Sequence, residues 1–197
     1  MKELGVPKDA NIVVYDNHGF MPGPRVWIML KAFGAPNVKI LNGGLPKWTA
    51  DKYPTESGPA KETGSVDGNY DYALKEDMIY NYEQTKALSD KLGEGDKSKP
   101  IVDARGKEMF DKGKIPNSTN IPVGMQFDQT TKEVKSKEAL GELFKDRGVD
   151  LDKPAVFTCQ RCITGCSAAF SYVLAGGKLE DVAVYDGAYA EYGPKSK

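Results

Sequence analysis

The chain lacks the sequence features that mark nucleic-acid-binding proteins and membrane proteins. It contains a single histidine among 197 residues, and its 27 basic residues are balanced by 28 acidic ones. This balance leaves no excess of positive charge for nucleic acid or for an anionic membrane surface. No apolar run approaches the roughly 20 residues that a membrane-spanning helix needs. The sequence therefore indicates a globular protein with no nucleic-acid partner and no membrane span.

Cysteine is also scarce, and all three cysteines lie between residues 159 and 166. A secreted disulfide scaffold would distribute an even number of cysteines along the chain. An odd number in one cluster favours a reducing, intracellular compartment.

Short apolar runs alternate with helical patterns along the sequence. Residues 11–15 predict a buried strand, and Pro24 and Gly34 suit the first turn and the end of the helix that follows. Ser136 is placed as the N-cap of a later helix. The alternation predicts an α/β fold with a parallel sheet flanked by helices.

A polar segment divides the chain. Residues 56–69 are polar, rich in Gly, Ser and Pro, and have no apolar period, which is typical of a linker. We therefore expect a partial domain at 1–58, a linker at 59–69 and a complete domain at 70–197 that contains the cysteines.

The two predicted domains share an internal repeat. Residues 12–48 align with 155–192 at an offset of 143 or 144, so that strand falls on strand and Asp16 falls opposite Cys159. Chance similarity between two strand–helix–strand units is the alternative. If the repeat is real, the first copy lacks the counterpart of residues 70–143, and we expect the chain to begin part-way through a domain.

The cysteine segment allows three interpretations. Cys159, Cys162 and Cys166 have a spacing that could supply thiolates to a metal, but the sole histidine, His18, lies in the other copy and no fourth ligand is evident. Cys159 and Cys162 could form a redox pair, although five residues separate Cys159 from Gly165, which is not a tight turn. Cys162 and Cys166 could also be small core residues.

The third interpretation is a loop that cradles one reactive thiolate. Cys159 ends a strand, a short loop follows, and a helix leaves from it. Loop N–H groups and the helix dipole favour a thiolate and hold an anion beside it. Arg161 adds positive charge, and Thr164 can cap the helix. Gly165 stands where a cysteine phosphatase needs the arginine that grips phosphate, so phosphatase chemistry is not expected.

Several motifs resemble one family in order along the chain. The segment "CQRCIT" at 159–164 resembles the catalytic loop of the two-domain rhodaneses, which are thiosulfate and 3-mercaptopyruvate sulfurtransferases. The segments "IVDAR" at 101–105, "GKIPNSTNIP" at 113–122 and "VAVYDG" at 182–187 look like the active C-terminal domain of that family. "LNGG" at 41–44 looks like part of its inactive N-terminal domain. The resemblance implies a rhodanese-like fold, with the front half of the N-terminal domain missing.

The resemblance also implies a reaction and a set of site residues. Cys159 would accept a sulfur atom from a small anionic donor, thiosulfate or 3-mercaptopyruvate, and hold it as a persulfide. A thiol or cyanide would then remove the sulfur, and no metal or organic cofactor is required. Arg105 would bind the donor anion bidentately. The loop that would bind the sulfur consists of Gln160, Arg161, Cys162, Ile163 and Thr164.

Departures from the family pattern support a second hypothesis. Cys162 stands where family loops usually have glycine, and Met109 and Lys114 replace a usual arginine and histidine. The chain would then be a weakly active or inactive structural subunit of a larger protein complex. The resemblance favours a mitochondrial over a cytoplasmic location.

The first domain predicts a protein partner. The strands around residues 12–15 and 38–41 are apolar and do not alternate between apolar and polar residues. This pattern predicts that both faces of the sheet are buried. Left alone, they would expose an apolar patch that includes Trp27 and Phe33. We therefore expect self-association or a protein partner that covers residues 1–58.

Overall fold

A computed structural model describes residues 1–59, 64–65 and 73–196. Strands and helices alternate through these residues. The strands are β1 (Ile12–Val14), β2 (Val38–Ile40), β3 (Ile79–Tyr80), β4 (Ile101–Asp103), β5 (Thr119–Asn120), β6 (Ala155–Thr158) and β7 (Val182–Tyr185). The helices are α1 (Gly23–Ala32), α2 (Gly44–Ala50), α3 (Tyr82–Gly93), α4 (Lys107–Lys112), α5 (Lys137–Asp146), α6 (Ile163–Ala175) and α7 (Ala188–Lys195).

The larger sheet has five parallel strands in the order β3-β7-β6-β4-β5. Its three inner strands are buried along their whole length, because helices cover both faces. Phe157 belongs to the core on one face, with Phe144 of α5, whereas Val156 belongs to the core on the other face, with Leu88 of α3. The predicted parallel α/β fold is confirmed.

The smaller sheet consists of β1 and β2, which are parallel, and it packs on the rest of the chain through α1. Trp27 of α1 is 5 % exposed and lies 5.0 Å from the ring of Phe170 in α6. Trp27 would be exposed if the first domain stood alone, and packing on α6 of the same chain buries it. Phe33 is 45 % exposed, as expected.

Only one face of β1 is covered within this chain. Val13 and Tyr15 are 59 % and 60 % exposed, whereas Ile12 and Val14 pack against the core. The apolar sequence of this strand therefore leads to burial of one face and exposure of the other.

The internal repeat is visible in the backbone. The N–H of Leu45 donates to the carbonyl of Asp16 at 2.9 Å, and the N–H of Tyr189 donates to the carbonyl of Cys159 at 3.0 Å. Gly44 and Ala188, at an offset of 144, have φ angles of +55° and +54°. The two copies thus share a strand–loop–helix–strand–helix unit down to individual hydrogen bonds, which confirms the repeat.

Other predictions concern single helices and the boundaries. Ser136 caps α5, since its hydroxyl accepts the N–H of Ala139 at 3.3 Å. The predicted linker at 59–69 lies mostly outside the described residues, and the division into domains stays a prediction. Within the residues that the structure covers, no helix is long and apolar enough to cross a membrane.

Candidate active site

The cysteine loop lies at the carboxyl end of β6, in the middle of the larger sheet. Cys159 follows the strand directly and is 3 % exposed. The carbonyls of Cys159 and Gln160 accept N–H groups from Tyr189 and Ala190 at the start of α7, at 3.0 and 3.1 Å. Since α7 holds the carbonyls on one side, the loop has a defined backbone conformation before any ligand binds.

The N–H groups of this loop are free to bind a ligand. Within the described part of the chain, the N–H groups of Gln160, Arg161 and Cys162 have no acceptor. They precede α6, a helix of 13 residues, whose N-terminus adds partial positive charge. Gly165 makes this arrangement compact, since a Cβ atom there would lie 2.8 Å from the carbonyl carbon of Thr158. Successive backbone N–H groups without an acceptor at a helix N-terminus are an arrangement that favours an anion.

The equivalent loop of the first copy holds a carboxylate. Asp16 Oδ1 accepts the N–H groups of His18 and Gly19, both at 2.7 Å, and Oδ2 accepts the N–H of Gly23 at 2.8 Å. Asp16 occupies the position of Cys159 in the repeat. In the first copy, therefore, the chain supplies its own anion to the loop amides.

The helix after Cys159 begins differently from the prediction. Its N-cap is Cys162, which has a φ of +56° and makes no side-chain capping bond, so the predicted cap by Thr164 is wrong. Thr164 lies within the first turn and is partly buried, and Ile163 is 42 % exposed. The left-handed conformation costs about 1 kcal/mol or more for a residue with a Cβ atom.

Cys162 and Cys166 form a buried pair of thiols. Both are fully buried, and their Sγ atoms lie 4.0 Å apart. A hydrogen bond to Cys166 raises the pKa of Cys162, and burial and the negative charges of Cys166 and Cys159 raise it further. The same hydrogen bond lowers the pKa of Cys166, against the effect of burial. Of this pair, Cys166 is therefore the thiol that ionises first.

A cation from the first copy acts on this pair. Arg25 of α1 also lowers the pKa of Cys166, because its positive charge favours the thiolate. Its guanidinium makes an ion pair with Asp186, which follows β7, at 2.5 Å. Burial lowers the pKa of Arg25, but the hydrogen bond to Asp186 and the charges of Cys166 and Asp186 outweigh it and raise that pKa. The two copies thus meet beside the cysteine loop.

Arg105 is engaged within the protein. Its Nε donates to both carboxylate oxygens of Asp103, at 3.1 and 2.9 Å, and Nη2 donates to Asp103 Oδ2 at 2.6 Å and to the carbonyl of Gly113 at 2.8 Å. Its guanidinium carbon lies 4.0 Å from the ring centre of Tyr189, and the side chain is 3 % exposed. Nε and Nη2 of Arg105 are thus engaged by Asp103 and Gly113, and a bidentate contact of this side chain with a donor anion stays a prediction. Arg105 also packs on the ring of Tyr189, whose N–H donates to the carbonyl of Cys159.

The remaining predicted residues are distributed around the loop. Arg161 is exposed and Gln160 half-buried, so Arg161 presents its charge to solvent. Met109 is 48 % exposed, and Lys114 Nζ lies 4.8 Å from the ring centre of Phe110.

Sequence reasoning missed Asp103, Tyr189, Arg25 and Asp186. Asp103 could have been found from the sequence, since it stands two residues before Arg105 at the end of the same strand. Arg25 and Asp186 could not, because 161 residues separate them and only the packing of α1 on α6 brings them together.

Comparisons with known proteins agree with this geometry. A family model described as a rhodanese-like domain matches residues 1–51 and 84–195. The thiosulfate sulfurtransferase of Gallus gallus is 32 % identical over 200 residues, which cover 96 % of this chain and 65 % of that protein. The 3-mercaptopyruvate sulfurtransferase of Escherichia coli K12 is 30 % identical over 207 residues, covering 100 % of this chain and 69 % of that protein.

A solved structure shows the same fold. The Tum1 protein from Saccharomyces cerevisiae matches with a TM-score of 0.83 and 28 % identity, over 100 % of this chain and 70 % of that one. The chain thus spans about two thirds of the length of the relatives that it matches. With a family model that matches most of its residues, this chain belongs to the rhodanese family.

Proposed function

We propose that the protein is a sulfurtransferase that moves a sulfane sulfur from thiosulfate or 3-mercaptopyruvate to a thiophilic acceptor through a persulfide on Cys159. Its relatives are named for these two donors. From the family resemblance, we infer an intracellular reaction and favour the mitochondrion.

The first step is attack by the Cys159 thiolate on the outer sulfur of the donor. With thiosulfate, a bond forms between Cys159 Sγ and that sulfur, the sulfur–sulfur bond of the donor breaks, and sulfite leaves with the electron pair. The second step is attack by cyanide or a thiolate on the outer sulfur of the persulfide, which returns Cys159 as the thiolate. Covalent catalysis thereby divides one transfer into two displacements of low barrier.

The cysteine loop is the observation that carries this proposal. Three N–H groups without an acceptor in the described chain, those of Gln160, Arg161 and Cys162, follow the thiol at a helix N-terminus. Such groups stabilise a thiolate, a persulfide anion and the negative charge that develops during transfer. The carboxylate of Asp16 supports the assignment, because the equivalent amides of the first copy bind it.

Cyanide-dependent formation of thiocyanate tests the proposal, with thiosulfate and 3-mercaptopyruvate compared as donors. We expect turnover with at least one donor and none in Cys159→Ala. Ser171→Ala is the matched control, because Ser171 lies buried in α6 with a hydroxyl that has no partner in the described residues. Equal thiocyanate formation by Cys159→Ala and the wild type would contradict the proposal.

A second candidate function is that of a structural subunit with little activity. The observation in its favour is an apolar surface on the first copy. It includes a cavity of about 650 Å³ beside the exposed face of β1, lined in part by Val13, Tyr15, Leu45 and Trp48. An exposed surface of this kind is typical of a site of association.

Sedimentation at micromolar protein concentration tests that candidate. Self-association that Tyr15→Glu disrupts, together with no turnover, would favour a structural role in which a partner or a second copy covers residues 1–58. A compact monomer that turns over and binds no hydrophobic dye would exclude it.

A further inference from the structure

A second pair of thiols lies beside the nucleophile, and the proposed transfer reaction does not use it. Cys162 and Cys166 are fully buried with their Sγ atoms 4.0 Å apart, and both are free thiols. The N–H of Cys166 donates to the carbonyl of Cys162 at 3.4 Å, which holds the two residues one helical turn apart. Residues one turn apart are within the Cα separation of about 7 Å that a disulfide tolerates.

The backbone conformation at position 162 indicates a functional role for the thiol of this residue. Cys162 has a φ of +56°, a conformation that glycine adopts without strain. A cysteine there costs about 1 kcal/mol or more of stability relative to glycine. Strained positions cluster where a side chain serves the function of a site.

The electrostatics of the pair suit a thiol exchange. Cys159, Cys162 and Cys166 belong to the same buried cluster of the core. The negative charge of Cys159 also contributes to the raised pKa of Cys162. The hydrogen bond from Cys162 and the charge of Arg25 lower the pKa of Cys166. Cys166 is thus poised to attack a neighbouring sulfur, and Cys162 lies between it and the nucleophile along the loop.

We propose that Cys162 and Cys166 form an internal acceptor that releases the sulfane sulfur of Cys159 as sulfide and ends as a disulfide. The proposal rests on the Cys159 persulfide. In the first step Cys162 passes its proton to the Cys166 thiolate along the hydrogen bond between them and attacks the outer sulfur. The persulfide bond breaks, and the Cys159 thiolate leaves and takes that proton from Cys166. In the second step the Cys166 thiolate attacks the sulfur of Cys162 that is bonded to its Cβ, and hydrosulfide leaves.

The electrons balance within the protein. The sulfane sulfur gains two electrons and becomes sulfide, and the pair of thiols loses two and becomes a disulfide. A dithiol reductant must then restore the two thiols before the next cycle. The protein would therefore convert a sulfane donor and a dithiol into sulfide and an oxidised dithiol.

A single-turnover experiment tests the internal acceptor. Reduced full-length protein is loaded with thiosulfate under argon, without cyanide or added thiol. Sulfite reports loading, sulfide reports release, and alkylation with peptide mass spectrometry locates the disulfide. We expect about one sulfide for each sulfite and a 162–166 disulfide in the wild type, as the balance of the two steps requires.

Two variants and one control sharpen the test. Cys166→Ala should still release sulfite, while its release of sulfide falls by about tenfold or more, because the intramolecular attacking group is lost. In Cys162→Gly, the ratio of sulfide to sulfite should fall by a similar factor for the same reason. Cys162→Gly also relieves the left-handed conformation, so a loss of folding is not expected there. Ser171→Ala removes a buried side-chain oxygen from the same helix and should behave as the wild type.

The outcomes separate this inference from the proposed function. Unchanged sulfide release in both cysteine variants, or a 159–162 disulfide in the wild type, would overturn the internal acceptor while leaving the persulfide intact. Absence of sulfite from every protein would overturn the Cys159 persulfide itself and the internal acceptor with it. Continuous sulfide formation with dithiothreitol in the wild type, lost in Cys166→Ala, would support the complete cycle.

Discussion

The two copies of the repeat place the same loop at the end of a parallel strand and fill it differently. In the first copy the carboxylate of Asp16 accepts the N–H groups of His18, Gly19 and Gly23. In the second copy Cys159 takes that position, and the amides beside it have no acceptor in the described residues. The first loop thus carries a permanent internal anion, and we propose that the second binds the anion that forms on Cys159 during sulfur transfer.

The comparison teaches that the anion-binding property belongs to the backbone. Both loops end at a helix N-terminus. In both, the second residue of the following helix in the repeat, Leu45 in α2 or Tyr189 in α7, donates its N–H to the carbonyl of the first loop residue. The side chain at one position then decides between a structural and a chemical role. A carboxylate accepts the amide hydrogen bonds permanently. A thiolate can accept them and can also form a covalent bond to sulfur.

The copies also differ in how fully they are covered. The inner strands of the second copy are buried throughout, whereas Val13 and Tyr15 of the first are more than half exposed. The first copy nevertheless contributes to the surroundings of the loop, because Arg25 forms an ion pair with Asp186 and lowers the pKa of Cys166.

The largest expected effect comes from giving the second loop the side chain of the first. Cys159→Asp should abolish sulfur transfer, because a carboxylate cannot form a persulfide. It should also be more stable than Cys159→Ala by about 1–3 kcal/mol, the usual contribution of hydrogen bonds to a charged acceptor. The thiocyanate assay and urea unfolding of the two variants provide the measurement. If Cys159→Asp is the less stable of the two, the loops do not share an anion-binding backbone.

The next effect comes from emptying the first loop. Asp16→Ala should lower the free energy of unfolding by about 2 kcal/mol, because three N–H groups lose a charged acceptor. Asp16→Asn is the matched control and should lose less, since one oxygen remains to accept. Urea unfolding measures both variants. Equal stability of Asp16→Ala and the wild type would show that solvent satisfies these amides equally well.

A smaller effect is expected at the start of α6. Cys162→Gly should be more stable than Cys162→Ala by about 1 kcal/mol, because only the alanine keeps a Cβ atom at a φ of +56°. The two variants lack the same thiol, so their difference isolates the backbone strain. Thermal unfolding followed by circular dichroism measures it. A more stable alanine variant would mean that the loop relaxes away from this conformation.

The smallest effect on stability is expected where the two copies meet. Arg25→Gln should cost less than about 1 kcal/mol, because its ion pair with Asp186 is partly exposed. It should nevertheless raise the pKa of Cys166, since a positive charge that favours the thiolate is lost.

Ultraviolet absorbance of the thiolate against pH, in a Cys159→Ala background, detects that change. The first thiolate should form at higher pH in Arg25→Gln than in Arg25→Lys, which keeps a cation. Lys86→Gln removes a cation from an exposed pair on α3 and should leave the titration unchanged. Identical titrations of Arg25→Gln and the background protein would show that Arg25 has no influence on the pKa of Cys166.

Much of the fold was predictable, because short-range patterns specify it. Pro24 and Ser136 mark helix starts, and the apolar run at 155–158 marks a strand that both faces bury. The position of Cys159 at a strand end followed from the same pattern. The start of α6 was not predictable, because local preference favours Thr164 as a cap, whereas the packing of Gly165 on Thr158 places Cys162 there.

By itself, the sequence determined the parallel α/β fold, the repeat and the loop that begins at Cys159. These follow from apolar periodicity and from glycine and proline positions, which act over a few residues. Tertiary structure alone decided the surroundings of Arg105, Arg25 and the second pair of thiols. Asp103 forms a buried ion pair with Arg105, and the packing of α1 on α6 places the charge of Arg25 near Cys166. Such contacts depend on distances between residues far apart in the chain, which no local pattern contains.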